Sequence, residues 1–198
     1  MPKNPLFTAR SYLKHWLLKM DRYSLQSPYI FSVYQGAIDL IKKERLSDKK
    51  TKVNVLIPYF CQLTPANQVG EFGFGNQKAS KQLEQITKGE FHRLSETELI
   101  LEKNEFSKPI PPDELLDFVL IHPPFPETLV GDVLSSLLTR MQPHGILFFH
   151  GIHTSQEMET CWKSLQSATR IRLTLDFFDF GVAFLSYPGP KTNLKLAY

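Results

Sequence analysis

The chain has 198 residues, enough for one domain with a sizeable core. Its hydrophobic content of 42% and charged content of 22% are those of an ordinary globular protein, and a net charge of +3 is too small to argue for nucleic acid. No apolar run approaches the roughly 18 residues that a transmembrane helix needs, and the start, Met1-Pro-Lys-Asn-Pro5, lacks the apolar stretch of a signal peptide. The chain is therefore expected to be cytoplasmic.

The charge is unevenly spread. Residues 1–50 hold ten Lys/Arg against four Asp/Glu, a balance of +6, while residues 51–198 hold thirteen against sixteen, a balance of −3. The basic N-terminal part suits a partner, either a membrane surface or an acidic protein, or simply a solvated helical face. Cys61 and Cys161 lie far apart and outside any C-x-x-C pattern, which reads as two reduced, semi-buried thiols.

Leu6, Leu13, Trp16, Leu17 and Met20 recur at helical spacing and predict a first helix over 6–20. Ser27-Pro28 is a cap followed by proline at the first helical position, and it opens a second helix through Ile30, Phe31, Val33, Tyr34, Ile38 and Ile41. The charged stretch 42–52 is expected to be a linker, and a third helix is expected over 53–63. Residues 1–50 then form an N-terminal helical cap and 51–198 an α/β domain, within one structural unit.

From Val69 the order changes to strand–helix alternation. Expected are a strand at 69–72, a helix at 77–87 closed by Lys88-Gly89, a weak strand at 91–94, and an irregular segment at 95–115 containing Pro109, Pro111 and Pro112. A buried strand at 116–121, a helix at 127–141, a strand at 145–149 and a helix at 154–167 follow. Continuous apolar strands alternating with helices argue for a mostly parallel sheet covered on both faces. Residues 170–178 and 180–187 are two further strands parted only at Asp179. A connection so short cannot be a parallel crossover, so they form an antiparallel hairpin.

Several stretches carry candidate chemistry. Gln68-Val-Gly-Glu71-Phe72-Gly73-Phe74-Gly75-Asn-Gln77 is an apolar strand with an acid, then Gly-x-Gly, then a helix. Glycines allow close backbone approach, and a helix start offers free N–H groups. The third small residue of the usual dinucleotide fingerprint is replaced by Gln77. Glu96, twenty-one residues past Gly75, stands where a ribose-binding acid is expected, with Glu98 and Glu102 as competitors and a plain surface carboxylate as the simpler reading. His122-Pro-Pro-Phe125 ends the fourth expected strand, where catalytic groups of such sheets lie. His150 and His153 follow the next strand, but they are too few for a tetrahedral zinc site, and no metal is expected.

A parallel sheet finished by an antiparallel hairpin resembles the class I S-adenosylmethionine-dependent methyltransferases. Tyr12-Leu-Lys-His-Trp16 with Leu25-Gln-Ser-Pro-Tyr-Ile-Phe-Ser-Val-Tyr34 resembles the N-terminal helices of a bacterial methyltransferase-like family. Gly70-Glu71-Phe72-Gly73 resembles its motif I, Leu116–His122 its fourth strand, and Gly145–His150 with the 170–187 hairpin its last strands. The resemblance implies a Rossmann-like sandwich, S-adenosylmethionine as cofactor, and Glu71, Phe72, Gly73, Phe74, Gly75 and Glu96 as its contacts. In that family Glu71 would lie near the methionine amino end.

His122 is the catalytic candidate. It takes the place of an acid in the family. Alternatively, it resembles the Asn/Asp-Pro-Pro-Tyr/Phe motif of amino-group methyltransferases, in which it would accept a hydrogen bond from the amine. An enzyme holding an extruded base there would need a basic channel that the local sequence does not supply.

The chain also departs from the family. Forty-three residues lie between Phe72 and Leu116. Three helices and two strands of ordinary length need roughly 65 residues. One strand–helix unit does not fit. With Phe74 and Gln77 in the glycine loop, this implies weakened or lost catalysis on an unidentified small-molecule or protein substrate. The alternative is a non-catalytic binding protein that uses the basic N-terminal helices for a partner.

Overall fold

A computed structural model describes residues 5–20, 25–46, 48–73, 77–94, 112–122 and 130–197. Helix α1 spans Pro5–Leu18, α2 Pro28–Lys43 and α3 Lys49–Cys61. Ser27 caps α2, its hydroxyl accepting from the Ile30 N–H, with Pro28 locked in the first turn. The charged stretch is only partly a linker. Asp48 caps α3 by accepting from the Thr51 N–H at 2.8 Å, so residues 49–52 are helical and α3 begins four residues before the expected start. That helix runs across the 50/51 boundary drawn from the sequence.

The strands are β1 Gln68–Phe72, β2 Glu90–Leu94, β3 Leu116–Ile121, β4 Met141–His150, β5 Leu173–Asp176, β6 Phe180–Phe184 and β7 Thr192–Lys195. Helix α4 spans Gln77–Ile86, α5 Val130–Thr139 and α6 Gln156–Ser167, and a 3₁₀ turn covers Pro112–Glu114. The strands form one sheet in the order β2-β1-β3-β4-β6-β5-β7. β2, β1, β3 and β4 are mutually parallel, β6 lies antiparallel between β4 and β5, and β7 is parallel to β5.

Three differences from the expected elements have local causes. β4 starts at Met141 rather than Gly145, because the β3–β4 register slips between Leu116 and Phe118. That irregularity accommodates Pro143, which cannot donate to a ladder. Helix α5 therefore ends at Thr139. β7 was not expected, since its four residues follow the Pro188-Gly-Pro190 turn with only Leu194 as an apolar signal.

Helices α2, α3 and α4 cover one face of the sheet, with Ile30, Val33, Leu56, Phe60 and Leu83 packed on Phe118, Leu120, Phe148 and Phe180. Helices α5 and α6 cover the other, with Val133, Leu137, Trp162 and Leu165 on Val119, Ile121, Leu147 and Phe149. Burial on both faces explains why the central strands read as unbroken apolar runs. Asp117 is the exception within β3. Its carboxylate accepts from the N–H groups of Asn67 and Gln68 at 2.8 and 3.1 Å, pinning the start of β1.

Gly181 in β6 lies under the Trp162 ring, and a Cβ there would sit 2.6 Å from a ring carbon. Gly181→Ala is expected to cost about 1–3 kcal/mol by forcing the ring from its seat. A lowered denaturant midpoint in equilibrium unfolding checks this.

Helix α1 is attached differently. Among its described side chains only Ser11 and His15 are buried, and both are polar.

Candidate functional site

In an open α/β sheet, ligands bind beyond the carboxyl ends of the strands, where the strand order reverses. Here the chain leaves β1 to build β2 on one side and then returns to build β3 on the other, so the reversal lies between β1 and β3. Three sequence candidates meet at that point. Glu71 is the penultimate residue of β1, Gly73 follows the strand, and His122 follows β3.

Glu71 and His122 are both buried, at 6% and 0% exposure. His122 Nε2 donates to Glu71 Oε1 at 2.9 Å, and Ser80 Oγ from α4 donates to the same oxygen at 2.6 Å. Burial pushes the Glu71 carboxyl up. The hydrogen bonds from His122 and Ser80, with the charges of His122 and Arg93, more than offset this and leave it below its ordinary value. Glu71 is thus an ionised carboxylate at the edge of the sheet. The His122 ring meets that of His150 edge-on, centroids 5.7 Å apart, so Glu71, His122 and His150 form a row across the ends of β1, β3 and β4. His122 Nδ1 is buried and has no hydrogen-bond partner among the described residues.

Gly73 has a positive φ of 84°, and a Cβ on it would lie 2.8 Å from the His122 carbonyl oxygen. The strand ends alone therefore require this glycine. Phe72 is buried in the core against α5 and α6 rather than facing the edge. Phe74, Gly75, Glu96 and residues 123–125 lie outside the described residues.

A second polar cluster occupies the same edge at the β5–β6 turn, and the sequence reading missed its centre. Asp176, 1% exposed, ends β5. His153 Nε2 lies 3.1 Å from its Oδ2, and His15 Nε2 lies 3.3 Å from its Oδ1 while donating to its backbone carbonyl at 3.0 Å. The Phe178 N–H donates to Asp176 Oδ1 at 2.9 Å, which holds Phe178 at a positive φ of 71° in a turn without glycine. Burial raises the Asp176 carboxyl, but the hydrogen bonds from His15 and His153, the His153 charge and the Phe178 N–H win and hold it far below its ordinary value.

Glu159 of α6 accepts from Ser11 Oγ at 3.0 Å and pairs with Lys163 at 2.6 Å, and its Oε2 lies 3.5 Å from His153 Nδ1. Among the described residues, no group of three or more His, Cys, Asp or Glu is placed to hold a metal ion. The available signal was Asp176 itself, a charged residue closing an otherwise apolar strand. Cys61 and Cys161 are free and buried, and burial pushes both thiols up to about 12, so they are inert.

The strand β6, returning antiparallel between β4 and β5 at the end of a parallel sheet, decides the architecture. It is the α/β class I methyltransferase fold.

No family model matches the chain, and neither does any curated protein. Solved structures with this methyltransferase fold do align. An O-methyltransferase from Bacillus cereus in complex with S-adenosylhomocysteine matches at 10% identity and TM-score 0.43, over 78% of this chain and 91% of its own. A Podospora anserina methyltransferase bound to S-adenosylhomocysteine matches at 11% and 0.45, over 93% and 97%. An O-methyltransferase from Streptomyces achromogenes, in complex with S-adenosylmethionine and involved in tomaymycin synthesis, matches at 11% and 0.44, over 94% and 100%.

Among the described residues β2 is the last strand on its side of the sheet, and residues 95–111, where the sequence leaves no room for a further strand–helix unit, lie outside them. No helix of the described residues is long and apolar enough to cross a membrane.

Proposed function

We propose that this chain is a methyltransferase-like protein that takes S-adenosylmethionine at the β1–β3 switch point and whose methyl transfer is weakened or lost. The observation that carries the reading is the ionised Glu71 carboxylate, set at the reversal of the strand order in a methyltransferase fold. An anionic group there complements the ammonium end of the cofactor. When bound, the cofactor supplies a methyl group already activated on a sulfonium. The chain's part is then orientation and exclusion of water.

Weakened transfer is supported by the same geometry. His122, the catalytic candidate, is wholly buried and spends its Nε2 proton on Glu71. The short link from β2 to β3 leaves less chain for closing an adenosine pocket. The chain is proposed to act in the cytoplasm on an unidentified small molecule or protein. A second reading, a binding protein on the same scaffold, is favoured by the exposed face of α1 described below.

Calorimetric titration with S-adenosylmethionine and S-adenosylhomocysteine tests the proposal. Binding at sub-millimolar ligand is expected, weakened about tenfold or more by Glu71→Gln. The absence of heat at millimolar ligand overturns it. Binding with no transfer to any offered acceptor supports lost catalysis.

A further inference from the structure

We propose that α1 is an in-plane anchor for an anionic lipid surface. At about 100° per residue, the buried Ser11 and His15 define the inner side of the helix. The opposite side is a ridge of Leu13, Trp16 and Leu17, exposed by 58%, 52% and 66%, with Tyr12, also half-exposed, at its border and Leu18 exposed at the end of the helix. These are five of the seven large hydrophobic residues exposed among the described residues, gathered on one short helix. A contiguous apolar ridge of this kind marks a docking surface, whereas scattered exposed leucines do not.

Charge decides what the surface meets. Helix α1 carries no acidic residue. Arg10 and Lys14 flank the leucine ridge on one side. Lys19 lies on the other, its ammonium 5.9 Å from the Trp16 ring. Long cationic side chains beside an apolar ridge, with an aromatic ring at its border, form the layout of an interfacial helix. The ridge enters the headgroup boundary while the cations reach anionic headgroups. A second copy of this chain is the poorer occupant. A two-fold interface would bring Arg10, Lys14 and Lys19 against their own copies with no acid on the helix to offset them. The basic balance of residues 1–50, +6 against −3 for the remainder, orients the molecule the same way.

The helix is also held suitably. Its inner contacts are two polar ones, Ser11 to Glu159 on α6 and His15 to Asp176 on β5, and the edges of the Tyr12 and His15 rings against Phe178, none of them made by the leucines of the ridge. The apolar ridge is therefore not needed for the fold, and losing it leaves the core intact. The proposal is independent of cofactor binding.

Sedimentation of the full chain with vesicles tests it. Vesicles of phosphatidylcholine mixed with phosphatidylglycerol are expected to carry the protein down, and pure phosphatidylcholine is not. Trp16 emission shifts to the blue on binding, while the buried Trp162 stays constant. Leu13→Ser combined with Leu17→Ser is expected to weaken partition about tenfold or more, and Arg10→Glu with Lys14→Glu to abolish it, with unchanged circular dichroism in both variants. Raised salt weakens binding of the wild type. Failure to sediment with either vesicle overturns the proposal, as does equal partition to neutral and anionic vesicles. A concentration-dependent dimer abolished by the double serine variant overturns it in favour of a second copy.

Discussion

Replacing Asp176 by alanine is expected to cost about 3–5 kcal/mol of folding stability, because it strips a buried charged network of its centre. Three groups depend on this carboxylate: the rings of His15 and His153, and the Phe178 N–H that keeps the β5–β6 turn in a left-handed conformation. Equilibrium denaturation reads the loss, and a cost below about 1 kcal/mol would show that the histidines find other partners. Asp176→Asn is expected to be milder, since its side-chain oxygen still accepts from Phe178.

The same carboxylate sets an acid limit. Its value in the folded state lies below its ordinary 3.8, so the folded state holds fewer protons than the unfolded chain through that range. The stabilisation is fully present above the ordinary value and is lost as the pH falls below it, towards the depressed folded value. Glu71 and Glu159, also lowered from 4.5, add to the effect in the same direction and begin to do so slightly earlier. Stability measured against pH is therefore expected to fall below about 4.5 in the wild type, and less steeply in Asp176→Asn.

Gly73→Val is expected to destabilise the chain by about 4 kcal/mol, or roughly 10 °C in melting temperature. Two costs combine. A branched residue at a φ of 84° is strained, and its Cβ would lie 2.8 Å from the His122 carbonyl oxygen. The obstacle is backbone held in the β1–β3 ladder, where the His122 N–H donates to the Phe72 carbonyl at 2.9 Å, so it cannot swing aside. The variant should also lose affinity for S-adenosylmethionine, because the two strand ends would part at the switch point. Wild-type melting in Gly73→Val would show that the ends are not in such contact.

The fold was legible where burial on two faces leaves unbroken apolar runs, as in Phe118–Ile121 and Ile146–Phe149, and where connection length forces antiparallel return, as at Asp179. It was illegible where a local rule competed with charge. Residues 49–52 look like a solvated linker, yet the Asp48 cap makes them helical. β7 carries one apolar residue in four and owes its place to pairing with β5.

At the candidate site, Glu71, Gly73 and His122 could be found separately because each sits at a strand end. Their union could not, since it depends on a contact between residues 51 apart in sequence. The Asp176 cluster was hidden for the same reason. His15, His153 and Asp176 come from α1, the segment after β4, and β5, and no short motif contains two of them.

The polar seat of α1 has a thermal consequence. A cleft of about 130 Å³, lined by Tyr12, His15, Trp16 and Phe178, remains between the helix and the β5–β6 turn. Beyond the edges of Tyr12 and His15 against Phe178, releasing the helix would wet little new hydrocarbon, so its heat-capacity change would be small beside that of the core. Hydrophobic contacts weaken on cooling, whereas a joint made of hydrogen bonds and ion pairs does not share that dependence. The core and this helix thus answer to different variables, the core to temperature and denaturant, the helix to protons and salt.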